Sequence, residues 1–69
     1  MTLKEIRLNK RITQVELAKR VGIRQQTISH YETGRAKPSL DVAVKLAKVL
    51  GVSVEEIYEA WRKEIKKKR

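Results

Sequence analysis

Helix start and stop signals recur along the whole of this 69-residue chain. At three predicted helix starts, serine or threonine stands three residues before glutamate, the spacing of a capping box that satisfies free N–H groups at a helix start. Glycine is placed where these helices would stop, because it adopts the left-handed conformation of a C-terminal cap without strain. The capping pairs are Thr2 with Glu5, Thr13 with Glu16 and Ser53 with Glu56, and the glycines are Gly22, Gly34 and Gly51.

These signals predict one all-α domain of five helices without strands. Pro38 followed by Ser39 and Asp41 marks a further start, and another helix fits between the first two glycines. The predicted helices span residues 3–10, 14–21, 25–33, 40–50 and 54–66. Apolar spacing in the fourth helix predicts the burial of Leu40, Ala43, Ala47 and Leu50.

The formal net charge is +9, from 17 lysines and arginines against 8 aspartates and glutamates. Such an excess favours a polyanionic partner such as nucleic acid. The alternative is a charged surface that serves solubility or heat adaptation. One Trp, two Tyr and no Phe argue against a single-strand binder that stacks bases on aromatic rings.

Several classes of protein are excluded by what the sequence lacks. The absence of cysteine excludes disulfides and cysteine-ligated zinc. No segment approaches the roughly 20 apolar residues of a membrane span, and there is no signal-peptide pattern, so we expect a cytoplasmic protein without a membrane partner. His30 is the only histidine and has no neighbouring ligand or acid pair. We therefore expect no enzyme activity, metal, cofactor or small-molecule ligand.

The segment from Thr13 to Gly34 has the pattern of a helix-turn-helix. Two short helices meet at a tight turn at Gly22, and the small side chain of Ala18 lets them approach closely. This arrangement holds the second helix so that it protrudes from the surface.

That second helix has two chemically different faces. Ile28 and Tyr31 form an apolar side, and the opposite side is polar but uncharged. An ordinary solvated helix, the alternative, would more often carry lysine and glutamate there. Glutamine can bond bidentately to adenine in the major groove, so the pattern predicts a recognition helix for double-stranded DNA. The outer face carries Gln25, Gln26, Ser29, His30 and Thr33.

Six short pieces of the sequence are highly specific together, although each alone is weak. They are Thr13-Gln14-x-Glu16-Leu17-Ala18, Gly22-Ile23, Thr27-Ile28, Glu32-x-Gly34, Lys37-Pro38-Ser39-Leu40 and Leu46-Ala47-x-x-Leu50-Gly51-Val52. On these pieces the chain resembles, from Leu3 to Ile57, the lambdoid phage repressor and Cro family, also called the xenobiotic-response-element family. The resemblance implies a five-helix, lambda-repressor-like DNA-binding domain over residues 1–61, with residues 62–69 as a basic extension of the last helix.

The resemblance also implies roles for individual residues. Gln14 is expected to bond a phosphate, and Gln25 and Gln26 to read base edges with His30 one turn further on. The loop after the recognition helix is expected to follow the DNA backbone. The full set of predicted DNA-binding residues is Gln14, Arg24, Gln25, Gln26, Thr27, Ser29, His30, Thr33, Arg35 and Lys37.

Arg7 and Glu32 match a family pair that forms a partly buried salt bridge between helices one and three. Two positions depart from the family pattern. Arg24 replaces the usual Ser or Thr at the N-cap of the recognition helix, which costs about 0.5–2 kcal/mol. This cost suggests a compensating contact with DNA; the alternative is a tolerated surface residue. Thr33 stands before Gly34 where the family commonly has Asn.

The fifth helix carries more apolar surface than one small domain needs. Burial against a partner subunit predicts a homodimer; the alternative is that Tyr58 and Trp61 simply cap the core. The last eight residues hold six basic side chains, expected to be a solvated helix end rather than a DNA contact. The predicted dimer interface is Val54, Tyr58, Trp61 and Ile65.

Taken together, the sequence predicts a sequence-specific double-stranded DNA-binding transcriptional regulator. It would act as a repressor, as a dimer on a pseudo-palindromic operator with half-sites about 34 Å apart. The alternative is an antitoxin or a coactivator-like interaction module on the same fold. A basic helix that acts at a membrane is opposed by the well-capped globular pattern.

Overall fold

The computed structural model describes residues 1–67, which form five α-helices and no strand. The helices are α1 (Leu3–Asn9), α2 (Gln14–Val21), α3 (Gln25–Glu32), α4 (Leu40–Leu50) and α5 (Val54–Lys67). The predicted all-α, five-helix fold is therefore confirmed, with each end within one residue of its predicted position. Lys68 and Arg69, the end of the predicted basic extension, lie outside the described residues.

Two of the predicted capping boxes are complete. The Thr2 N–H donates to Glu5 Oε1 at 2.8 Å, and the Glu5 N–H donates to Thr2 Oγ1 at 3.3 Å. Ser53 and Glu56 make the same reciprocal pair at 3.2 and 3.0 Å. These bonds satisfy N–H groups that the first turn of a helix leaves without intrahelical partners, so they set where α1 and α5 begin.

The start of α2 uses only the hydroxyl half of the predicted box. Thr13 Oγ1 accepts from the Glu16 N–H at 3.1 Å, while the Glu16 carboxylate accepts from Arg20 Nε at 2.9 Å. At the other end, Gly22 caps α2 with φ of +82°, a left-handed conformation that strains side chains with a Cβ. Sharp ends of this kind keep α2 short enough for a tight turn into α3.

The core lies where α4 packs against α2 and α5, with α1 and α3 closing the remaining sides. Ile28, Leu46, Leu50 and Ile57 are its largest fully buried apolar side chains apart from Pro38. The predicted burial of Leu40 is wrong, because this side chain is 64% exposed. Leu40 is the first residue of α4 and lies at the edge of its buried face, so neighbouring helices do not cover it. Leu46 fills the core instead.

A buried ion pair joins α1 to α3, as predicted. Arg7 Nε lies 2.6 Å from Glu32 Oε2, and a second guanidinium nitrogen donates to Glu32 Oε1 at 3.2 Å. The remaining terminal nitrogen donates to the Ile12 carbonyl at 2.9 Å. The two charged side chains are only 7% and 6% exposed. Two parallel N–H···O bonds fix angle as well as distance, so this pair sets how α3 lies on α1.

Candidate nucleic-acid interface

The predicted helix-turn-helix is formed by α2, the turn at Gly22 and α3. The N–H groups of Gly22 and Ile23 both donate to the Ala18 carbonyl, at 2.8 and 3.0 Å, and close the turn. The inner side of α3 places Ile28 and Tyr31 in the core. Burial raises the pKa of Tyr31 above its ordinary value of 10.0, and Tyr58 raises it further, so the Tyr31 phenol keeps its proton at neutral pH.

The outer side of α3 carries the predicted base-reading residues. Gln25 and Gln26 are exposed on this face, and Ser29 and His30 are half-buried; Thr27, also predicted to bind DNA, is half-buried beside it. Their side chains offer both donors and acceptors of hydrogen bonds, and none of them is a lysine, an arginine or a carboxylate. This placement agrees with the predicted outer face, and it presents two glutamines at the protruding first turn.

Thr33 is the C-cap of α3 instead of its last helical residue. Its hydroxyl donates to the Ser29 carbonyl at 3.0 Å and lies 3.3 Å from the His30 carbonyl. The donor capacity of this hydroxyl is therefore used within the chain, and its oxygen retains lone pairs for an outside donor. Thr33 thus helps to end the helix, a role that the sequence did not indicate.

Gln14 connects the buried ion pair to the start of α3. Its amide nitrogen donates to Glu32 Oε1 at 2.9 Å, and its amide oxygen lies 3.5 Å from Gln25 Nε2. A continuous chain of polar contacts therefore runs from Arg7 through Glu32 and Gln14 to Gln25. The bond to Glu32 fixes which way the Gln14 amide points, and this orientation leaves the amide oxygen facing Gln25.

The loop between α3 and α4 places Arg35 and Lys37 in solvent. The Arg35 N–H donates to the His30 carbonyl at 2.9 Å, which folds the loop back onto the end of α3. From α5, Tyr58 Oη donates to the Pro38 carbonyl at 3.0 Å, and Trp61 Nε1 donates to the Ala36 carbonyl at 2.7 Å. The two predicted backbone-contacting cations thus lie on a loop anchored at both ends.

The predicted dimer-interface residues also make contacts within the chain. Val54, Tyr58, Trp61 and Ile65 are all half-buried. Both aromatic side chains bond the α3–α4 loop, and Ile65 Cγ1 lies 3.4 Å from where a Cβ on Gly34 would be. Part of the apolar surface that suggested a second subunit is therefore covered by the same chain, and the dimer stays a prediction.

Arg24 is the N-cap of α3 and makes no side-chain capping bond, as the sequence predicted. We expect Arg24→Ser to raise the free energy of unfolding by about 0.5–2 kcal/mol, because a serine hydroxyl can accept from a free N–H of the first turn. Thermal unfolding followed by circular dichroism measures this gain. Arg24→Lys is the control, since it keeps the charge without supplying a cap; an equal gain in both variants would contradict the capping argument.

Within residues 1–67, no group of His, Cys, Asp and Glu side chains is arranged to hold a metal ion. None of the described helices is both long and apolar enough to cross a bilayer.

Comparison with known proteins places the chain in a family. A family model described as helix-turn-helix, of the Cro and C1 type, matches residues 3–57. An uncharacterized HTH-type transcriptional regulator of Archaeoglobus fulgidus is 44% identical over 66 residues, covering 88% of this chain and 93% of the relative. A regulator of the same description from Methanocaldococcus jannaschii is 45% identical over 56 residues, covering 81% and 85%.

A third similar protein is multiprotein-bridging factor 1c of Arabidopsis thaliana, 39% identical over 54 residues, which cover 78% of this chain but 36% of that protein. No solved structure matches the chain. The family match confirms the predicted resemblance and supports a DNA-binding regulator, not an enzyme. The chain belongs to the Cro/C1-type helix-turn-helix family.

Proposed function

We propose that this protein is a sequence-specific transcriptional repressor that binds double-stranded DNA as a dimer on a pseudo-palindromic operator in the cytoplasm. Residues 1–61 form its DNA-binding unit, and residues 62–69 are a basic C-terminal extension. The observation that carries the proposal is the outer face of α3, whose uncharged hydrogen-bonding side chains protrude from a helix held by a buried inner face. Such a face suits the donor and acceptor pattern of base edges in the major groove.

Cations flank this face at both ends of α3. Arg24 precedes the helix, while Arg35 and Lys37 follow it, and all three are exposed. Contacts of lysine and arginine with phosphate supply affinity that does not depend on sequence, whereas contacts with base edges supply specificity. In the proposed function, the cations at the flanks of α3 supply affinity, and Gln25, Gln26 and His30 supply specificity.

A dimer would double a recognition surface that is small in one copy. Two α3 helices related by a two-fold axis would enter successive major grooves on one side of the duplex, about 34 Å apart. The half-buried apolar side chains of α5 support this assembly, because they leave apolar surface that a second copy can cover.

Selection of bound duplexes from a random pool tests the proposal. We expect an enriched sequence with two-fold symmetry and half-sites separated by about 10 base pairs. Sedimentation of the recovered complex should give two chains for each duplex. An enriched but asymmetric half-site would contradict the dimer, and recovery of no preferred sequence would contradict sequence-specific binding.

A coactivator-like interaction module is a second candidate, and the similarity to a multiprotein-bridging factor favours it. For this function, the chain would be a stable monomer that selects no DNA sequence. The same selection and sedimentation experiments therefore separate the two functions.

A further inference from the structure

The α5 helix presents two aromatic side chains to the α3–α4 loop, and each donates a hydrogen bond to a backbone carbonyl of that loop. Tyr58 Oη donates to the Pro38 carbonyl at 3.0 Å, and Trp61 Nε1 donates to the Ala36 carbonyl at 2.7 Å. These carbonyls belong to the two residues on either side of Lys37. The backbone of Lys37 is therefore held on both sides by one face of α5.

The same two rings also hold the Lys37 side chain. Its ammonium nitrogen lies 5.6 Å from the centre of the Tyr58 ring and 5.7 Å from that of the Trp61 ring. Both distances are within the roughly 6 Å range of a cation–π interaction, in which the ring quadrupole attracts the charge. Lys37 as a whole remains exposed, so its ammonium group can still donate to an outside acceptor.

We propose that Tyr58 and Trp61 are positioning residues that hold Lys37 ready to contact a DNA phosphate. The proposal rests on the DNA-binding function proposed above. A lysine on a free loop loses rotamer freedom when it binds an anion, and this loss weakens binding. Here the side chain is ordered when the protein folds, so less freedom remains to be lost on the DNA. Two residues of α5 thereby raise DNA affinity without touching DNA.

The competing explanation is that Tyr58 and Trp61 only cap the core or bury a partner subunit. Either role predicts that a substitution at Trp61 weakens DNA binding by the same factor whether or not Lys37 is present. The positioning role predicts instead that the Trp61 substitution weakens DNA binding only when Lys37 is present. A double-mutant cycle measures this difference directly.

The experiment measures affinity for a 30-base-pair duplex at several salt concentrations, for the wild type, Trp61→Leu, Lys37→Ala and the double variant. We expect Lys37→Ala to reduce the magnitude of the negative slope of log affinity against log salt by about one. Trp61→Leu should weaken binding about threefold to tenfold. In the Lys37→Ala background, Trp61→Leu should cause almost no further loss.

Two further variants keep the test decisive. Lys45→Ala removes an exposed lysine of α4, and in that background Trp61→Leu should keep its full effect. If Trp61→Leu loses its helical circular dichroism, Trp61→Phe replaces it in the cycle, because it retains a ring but loses the N–H that bonds Ala36. The cycle with Trp61→Phe should show the same dependence on Lys37 with a smaller loss.

Equal losses of DNA affinity from the Trp61 substitution with and without Lys37 would overturn the positioning role. If the wild type still binds the duplex in that case, the proposed function is unaffected. A change in sedimenting mass on Trp61→Leu, together with such equal losses, would assign the residue to a subunit interface. A wild type without salt-dependent affinity for the duplex would overturn the proposed function and this inference with it.

Discussion

Replacing Arg7 by methionine should unfold most of this protein at 25 °C. The change leaves the Glu32 carboxylate buried without its cation, and only the Gln14 amide still bonds it. Removing one partner of a buried pair costs about 3–5 kcal/mol, because the remaining charge stays away from water. A core of this size supplies net stability of only about 3–5 kcal/mol. Urea unfolding followed by circular dichroism measures the loss.

The chain offers a matched control in its exposed ion pair. Arg20 Nε lies 2.9 Å from Glu16 Oε2, but these side chains are 54% and 49% exposed. Arg20→Met should therefore cost no more than about 1 kcal/mol. The double variant Arg7→Met with Glu32→Leu should regain much of the lost stability, since it leaves no buried charge. Equal losses for Arg7→Met and Arg20→Met would show that burial does not govern the strength of the pair.

The positions of the helices were predictable because their signals are local. A hydroxyl at the N-cap or a glycine after the last turn acts on N–H and carbonyl groups within four residues, so the sequence carries the full information. Burial was less predictable, as Leu40 shows, because it depends on which neighbouring helix reaches that turn. Periodicity identifies a face of a helix, but it does not give how far along that face the core extends.

The outer face of α3 was predictable from similarly local information. The contacts from α5 that anchor the neighbouring α3–α4 loop were not predictable. Tyr58 and Trp61 bond the carbonyls of Pro38 and Ala36, which lie 20 and 25 residues away in the chain. A backbone carbonyl has no sequence signature, because every residue has one. The available signal was general: a partly buried Trp or Tyr usually finds a partner for its polar hydrogen.

The Arg7–Glu32 pair shows how stability and recognition share one set of contacts. The carboxylate that pairs with Arg7 also accepts from Gln14, and Gln14 lies against Gln25 on the side proposed to face DNA. Loss of Arg7 therefore removes the polar attachment of α3 to α1 and leaves the carboxylate that orients Gln14 without its cation. The buried Glu32 carboxylate therefore lies two side-chain contacts from Gln25 on the proposed base-reading surface.

Gln26→Ala should weaken binding to the selected operator roughly 5- to 150-fold and leave binding to a random duplex unchanged. Gln26 is exposed on the outer face of α3, opposite the buried Ile28. Its side chain makes no hydrogen bond within the described structure, so Gln26→Ala should not weaken the fold. A bidentate contact with a base is worth about 1–3 kcal/mol of discrimination, which corresponds to that range of affinity. Competition binding with both duplexes at one salt concentration measures the ratio.

Lys37→Ala is the complementary control, because a phosphate contact is the same on every sequence. It should weaken binding to both duplexes by a similar factor and flatten the salt dependence, whereas Gln26→Ala should leave the salt dependence unchanged. An equal loss on both duplexes for Gln26→Ala would remove this residue from base reading. Specificity would then have to come from Gln25 and His30, of which Gln25 contacts Gln14, the amide that bonds the buried Glu32 carboxylate.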